Sequence, residues 1–168
     1  KRFPGVPSIG CIGMSYRTGV VERGVGVVAF SDGVTAAANV LEGASTMPVK
    51  YIHRLEQDMQ TVGGSQRDTV CIDFCAGNDA CVLTTINTVL RKRGISLMGG
   101  TGDQGQVSAN GRIYQDAVAY GLVRNQNGRV KTYKENIYHQ YGDYRFVASN
   151  TDRANYILGS LNGKPAKQ

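Results

Sequence analysis

The run from Thr69 to Met98 constrains the fold more than any other part of the chain. Thr69 to Cys75, TVCIDFC, has the length and the apolar, β-branched content of a mostly buried strand. Ala76-Gly77-Asn78 follows as a turn with Asn78 as a helix cap. Val82, Ile86 and Val89 then recur at helical spacing up to Arg93, where Gly94 stops the helix. Ile95 to Met98 returns to strand-like sequence. Strand, helix and strand joined this tightly make a βαβ unit, whose right-handed crossover sets the two strands parallel.

The other segments read as hairpins and a surface helix. Residues 20–30, VVERGVGVVAF, suit a strand interrupted by Gly24 and Gly26; Ser31-Asp32-Gly33 supplies a turn, and the apolar run 34–41 completes a hairpin. Pro48 opens a helix over 48–61 with Val49, Ile52, Leu55 and Met59 on one face, Lys50, Arg54, Glu56 and Asp58 on the other, and Gly63-Gly64 at its end. Asn110-Gly111 and Asn127-Gly128 mark two successive hairpins with strands over 106–109, 112–123 and 129–138. A last strand, 144–148, leads through Ser149-Asn150-Thr151-Asp152 into a helix ending near Leu161. A chain of 168 residues that is 41% hydrophobic and 19% charged suits one core. The fold expected is α/β (α+β): a largely antiparallel sheet system with one βαβ unit and helices packed on its outer faces, with a helix-flanked β-sandwich as the alternative.

Charge and cysteine usage exclude several function classes. The formal charge of +6 is scattered, and its densest cluster, Arg91-Lys92-Arg93, closes a helix where cations oppose the negative end of the dipole. Tyrosines and basic residues over 112–144 read as strand tyrosines with solvated charges, so no specific nucleic-acid partner is expected. No run approaches the roughly eighteen apolar residues of a membrane helix, and KRFPGVPSIG lacks the apolar core of a signal peptide. Cys11, Cys71, Cys75 and Cys81 are too sparse for a secreted disulfide framework, which favours reduced thiols in the cytoplasm. Cys71, Cys75 and Cys81 fit no common zinc spacing, so no metal and no cofactor are expected. His53 and His139 have no sequence neighbour that makes a triad. A nucleophilic site of Cys11, His139 and Asp143 has nothing local to activate the thiol.

Met98-Gly99-Gly100-Thr101-Gly102-Asp103 lies beyond the carboxyl end of the second parallel strand, where open α/β sheets present backbone amides to ligands. It lacks the Gly-Lys-Ser/Thr of a phosphate-binding loop and opens no helix as a dinucleotide fingerprint does. Taken alone it is either a plain bend or a binding loop.

Five motifs taken together resemble a known family. Ile9-Gly10-Cys11, the strand Val27-Val28-Ala29-Phe30-Ser31-Asp32, the GGTGD turn at Gly99 to Asp103, the Asn110-Gly111 hairpin leading to Asp116-Ala117-Val118, and the closing Leu161-Asn162-Gly163-Lys164-Pro165-Ala166 are similar, in order and spacing, to the N-terminal FIST domain. The chain departs from that pattern at Ile12-Gly13-Met14-Ser15, where the family carries small polar residues. The resemblance implies an intracellular, non-catalytic sensory module that binds a small molecule, with amino acids the leading class. It implies a downstream output domain such as a chemoreceptor or histidine kinase. It also implies that 1–168 is an N-terminal domain lacking its opening strand and helix and its C-terminal FIST partner. Ligand-facing positions carried over are Gly10, Cys11, Gly99, Gly100, Thr101 and Asp103. By their chemistry, amides of Gly100 and Thr101 would hold a carboxylate and Asp103 an ammonium. The alternatives are a protein–protein interaction or assembly module and, behind it, a cysteine-dependent enzyme.

Overall fold

The computed structural model describes residues 3–13, 15–16, 19–21, 23–43, 48–77, 80–133, 138–140, 142–152 and 157–166. They belong to two compact units, Lys1–Thr132 and Tyr133–Gln168. The first contains β1 (Ile9–Ile12), β2 (Ser15–Tyr16), β3 (Val20–Val21), β4 (Val34–Glu42), α1 (Ile52–Val62), β5 (Thr69–Cys75), α2 (Ala80–Arg91), β6 (Ser96–Thr101), β7 (Asp103–Ala109), β8 (Arg112–Gln115) and β9 (Ala117–Asn125). A four-stranded sheet has the order β4-β9-β5-β6, a three-stranded one β1-β7-β8, and β2 pairs with β3. The strands are antiparallel except β5 and β6, which run parallel as the crossover through α2 requires.

Alternation along β9 assembles the first unit in layers. Val118, Tyr120 and Leu122 point to one face, where they are buried with Leu55, Met59 and Val62 of α1 and Val82, Ile86 and Val89 of α2. Ala117 and Ala119 point to the other, where they meet Val107, Ala109, Ile9 and Tyr114 of the smaller sheet. Both helices therefore lie on one face of the large sheet and the small sheet covers the other, which is the helix-flanked sandwich. Large aliphatic residues fill the helix side, whereas alanines between the sheets let the two backbones approach closely. Asp58, expected on the solvated face of α1, is half-buried: it accepts hydrogen bonds from the hydroxyl of buried Tyr120 and from Asn39 Nδ2 (3.3 Å).

Several expected elements are confirmed. α1 ends on Gly63 in the left-handed conformation (φ 66°), and Asn110-Gly111 has φ of 50° and 79°, the signature of a type I′ hairpin turn between β7 and β8. The cluster Arg91-Lys92-Arg93, expected only to oppose the helix dipole, does more: Lys92 pairs with Glu56 and Arg93 Nη1 donates to the Met59 carbonyl (3.1 Å), which ties the helices together. The expected cap at Asn78 lies outside the described residues.

Other expectations are corrected. β4 does not form a hairpin with 20–30; it pairs along its whole length with β9, and 25–30 carries no regular structure, with Val25 87% exposed. The other edge of β4 is closed by side chains: Asn110 Nδ2 donates to the Ala38 carbonyl (2.9 Å), Arg54 Nη1 to that of Val40 (3.0 Å) and Tyr51 Oη to that of Glu42 (2.6 Å). Capping of this kind blocks addition of a strand. The expected strand 112–123 is broken at Asp116 (φ 44°), which passes the chain from the small sheet into the large one. A second hairpin at Asn127-Gly128 is also absent, because Val130 donates to the Arg67 carbonyl (2.9 Å) and 129–133 does not return along β9; residues 134–137 lie outside the described part.

In the second unit β10 (Ala148–Asp152), β11 (Ile157–Leu161) and β12 (Lys164–Pro165) form an antiparallel sheet, so the helix expected up to Leu161 is a strand. The cause is the turn at Asn162-Gly163 (φ 49° and 77°). Asn162 N donates to the Val147 carbonyl (2.8 Å), its Oδ1 accepts from Val147 N (2.7 Å) and its Nδ2 donates to the Arg145 carbonyl (3.3 Å). One side chain thus holds 145–147 extended against β11, and this overrides the helix-start chemistry of Ser149 to Asp152.

Asp68, just before β5, gives the fold a pH-dependent joint. Its carboxylate accepts from Ser65 N (2.8 Å), Thr69 Oγ1 (2.8 Å), Ser65 Oγ (3.0 Å) and Arg124 Nε (3.0 Å), and these bonds, the Ser65 amide foremost, hold its pKa well below the usual range. A depressed carboxylate stabilises the fold above its unfolded pKa of about 3.9 and loses that contribution as pH falls toward the folded value. Asp68→Asn should therefore reduce stability at pH 7 by about 2 kcal/mol. It should also flatten the decline in melting temperature below about pH 4; parallel wild-type and variant profiles between pH 7 and pH 3 would contradict this role.

Candidate functional site

The carboxyl end of the parallel pair is built by register. Asp73 lies opposite Gly99, Phe74 opposite Gly100 and Cys75 opposite Thr101. The expected glycine-rich turn is therefore not a turn: β6 runs through both glycines to Thr101, because β5 offers a partner along that whole length. The chain leaves the large sheet at Gly102, whose amide donates to the Cys75 carbonyl (2.8 Å), and the real bend comes at Gln104-Gly105 (φ 59° and 62°). There β7 bulges against β1, so that Cys11 faces Val107 while the next residue, Ile12, faces Asp103.

Gly99 is required by its neighbour. A Cβ at this position would lie 1.9 Å from the Asp73 carbonyl oxygen and 2.4 Å from its carboxylate, whereas one at Gly100 would meet open space. Between this end of β6 and α2 lies a cavity of about 260 Å³, lined by Asp73, Leu83, Asn87, Leu97, Met98, Gly99 and Gly100. Asp73 is 2% exposed and shares the helix-facing side of β5 with Cys71 and Cys75, where burial foremost and the charge of Asp73 next push the Cys71 thiol well above its ordinary pKa. Leu83 and Asn87 of α2 form one wall; Asp73 of β5 and Leu97, Met98, Gly99 and Gly100 of β6 form the other, so each wall combines polar and apolar groups.

Of the six positions carried over from the sequence, Gly99 and Gly100 line this cavity. Thr101 is the next residue along β6 and is exposed. Gly10, Cys11 and Asp103 belong to the smaller sheet, where Gly10 faces Ser108. Gly102 brings the two groups close, since a Cβ there would lie 2.8 Å from Cys11 Cβ. The structure thus separates the six into a cavity pair and a neighbouring cluster.

The family profile of the FIST N domain matches residues 1–164, nearly the whole chain. The chain belongs to the FIST N domain family. FIST is a sensory domain of signal transduction proteins, a non-catalytic family. Comparison with curated proteins returns no match.

Cys11 of this FIST domain has the electrostatics of a resting thiol. Burial, and after it the charge of Asp103, raise its pKa, the opposite of what an activated nucleophile needs. Among the described residues no group of three or more His, Cys, Asp or Glu side chains is arranged to hold a metal ion, and no helix is long and apolar enough to cross a membrane. Asp73 and Asn87 are the two cavity residues with polar side chains that sequence reasoning passed over. A signal for Asp73 was present, namely a single charge inside the apolar run TVCIDFC, since an acid in a buried strand is kept only with a compensating environment. Asn87 sits among ordinary helix-surface residues and gave none.

Proposed function

We propose that this FIST domain senses a small amine-bearing ligand, an amino acid by class, in the cavity between β6 and α2. The observation that carries the reading is Asp73: a carboxylate 2% exposed that nonetheless walls a cavity open to solvent beside bare glycine backbone. The volume of about 260 Å³ is at the small end for ligand sites, which suits an amino acid better than a nucleotide or a cofactor. In this reading Asp73 takes the ammonium, Asn87 and the Gly99–Gly100 backbone face the carboxylate, and Leu83, Leu97 and Met98 contact the side chain. Thr101 follows the cavity along β6, and Gly10, Cys11 and Asp103 stand on the neighbouring small sheet, outside the cavity lining. Occupancy would be passed to an output domain such as a chemoreceptor or histidine kinase, with the domain in the cytoplasm.

A thermal-shift panel of the common amino acids and their deamino and descarboxy analogues tests this. A ligand at a hundred times its Kd adds about 2.7 kcal/mol of stability. Asp73→Asn should weaken an amine ligand by about ten- to a hundredfold, as expected for a lost charge-assisted hydrogen bond. Asp103→Asn should leave it nearly unchanged. The reverse order would move the ammonium to Asp103, and no saturable shift with any amine would reject the reading. A second reading, an interaction module, draws on the exposed Val25, Val27, Val28 and Phe30; it would give no ligand shift but a mass change in a partner pull-down.

A further inference from the structure

A second concavity lies at the other end of β5, five residues or about 17 Å along the strand from Asp73. It measures about 380 Å³, and Arg67, Asp68, Asn125, Gln126, Gly128 and Arg129 are on its walls. Its chemistry is opposite in sign to the first. The acid in the lining, Asp68, is already committed to the Ser65 amide, the Thr69 hydroxyl and Arg124 Nε, and Arg124 in turn also donates to the Val62 carbonyl (3.3 Å). That leaves two cations uncompensated. Among the described residues no hydrogen bond or ion pair engages the guanidinium of Arg67 or that of Arg129.

The backbone brings those two arginines together. Val130 N donates to the Arg67 carbonyl (2.9 Å), which sets Arg129 on a segment running beside Arg67. The turn before it is tied to its neighbour by Gln126 N, which donates to the Gly33 carbonyl (2.7 Å), and braced internally by Asn127 N, which donates to Asn125 Oδ1 (3.0 Å). The next two amides, of Gly128 and Arg129, have no acceptor among the described residues. Gly128 also keeps the wall open, since a Cβ there would stand 2.9 Å from Asn125 Nδ2. Successive unfilled amides flanked by two guanidiniums match the donor pattern that phosphate oxygens accept from, with bidentate geometry available from each arginine.

We propose that this concavity is an anion site that binds a phosphate-type dianion between Arg67 and Arg129, over the amides of Gly128 and Arg129. It is independent of the amine site, carries the opposite charge, and would give the domain a second ligand class. Two sources share this chemistry, a soluble phosphate or phosphomonoester and a phosphomonoester lipid headgroup.

Calorimetric titration of the full chain with inorganic phosphate and with glycerol 1-phosphate, against chloride at equal ionic strength, tests it, alongside co-sedimentation with vesicles containing phosphatidic acid. Saturable binding of the soluble anions that is weakened roughly tenfold or more by Arg67→Gln and again by Arg129→Gln is the expected result. Arg91→Gln, on the exposed end of α2, should leave it unchanged. Vesicle binding with the same dependence on Arg67 and Arg129, without response to soluble anions, would support the same site with a lipid source. Response to chloride equal to that to phosphate, binding that survives the double variant, or no binding in either arm would overturn the proposal. Both arginines are exposed, so the double variant should keep the wild-type melting curve, which separates loss of binding from loss of fold.

Discussion

Gly99→Ala should destabilise the first unit by about 3 kcal/mol, the upper end of what overpacking a tight site costs. The added methyl would sit 1.9 Å from a carbonyl oxygen of β5, and a paired backbone cannot rotate away as a flexible side chain can. Relief would require parting β6 from β5 at the point where the cavity is formed, so the ligand response should vanish with the stability. Urea unfolding gives the first quantity and the thermal-shift panel the second. Two neighbours serve as controls. Gly100→Ala meets nothing within 4 Å and should be nearly neutral, while Gly102→Ala approaches Cys11 Cβ at 2.8 Å and should fall between. Equal stability of the Gly99 and Gly100 variants would show that the register of Asp73 against Gly99 is wrong.

Leu122→Ala should cost a similar amount, about 3 kcal/mol within the range of 2–5 for a buried leucine. Leu122 is 0% exposed on the central strand β9 and faces the helix layer, so its removal leaves a cavity between the sheet and the helices that large neighbours cannot collapse into. Three residues earlier, Ala119 is equally buried but faces the small sheet. Enlarging it should be the damaging change there: Ala119→Leu would force the two sheets apart at a cost of about 1–3 kcal/mol. Chemical denaturation of the pair checks the layer assignment. A tolerated Ala119→Leu would mean that the sheets are not in close contact at β9.

Local chemistry made a good part of this fold legible. The strand Thr69–Cys75, the inward face of α2 at Val82, Ile86 and Val89, and the I′ turn at Asn110-Gly111 all depend on residues within a turn or two of one another. Each was readable because periodicity and turn preferences act over that distance. The failures lie where two partners compete for the same segment. Residues 20–30 have the composition of a strand, yet β9 takes one edge of β4 and the side chains of Tyr51, Arg54 and Asn110 close the other. Ser149 to Asp152 have helix-start chemistry, yet Asn162 draws the chain before them into an extended path.

The site divides along the same line. By itself the sequence determined the family, through five motifs in order, and the parallel pair that leads into Gly99 and Gly100, because a short crossover permits one handedness. Only the tertiary structure decided that those glycines are strand rather than turn, that Asp73 stands beside them at the wall of a cavity, and that Cys11 and Asp103 belong to the neighbouring sheet. A residue's spacing along the chain reports which neighbours it shares an element with. Which charge is buried against which backbone depends on the register between strands far apart in sequence, and that is settled by packing.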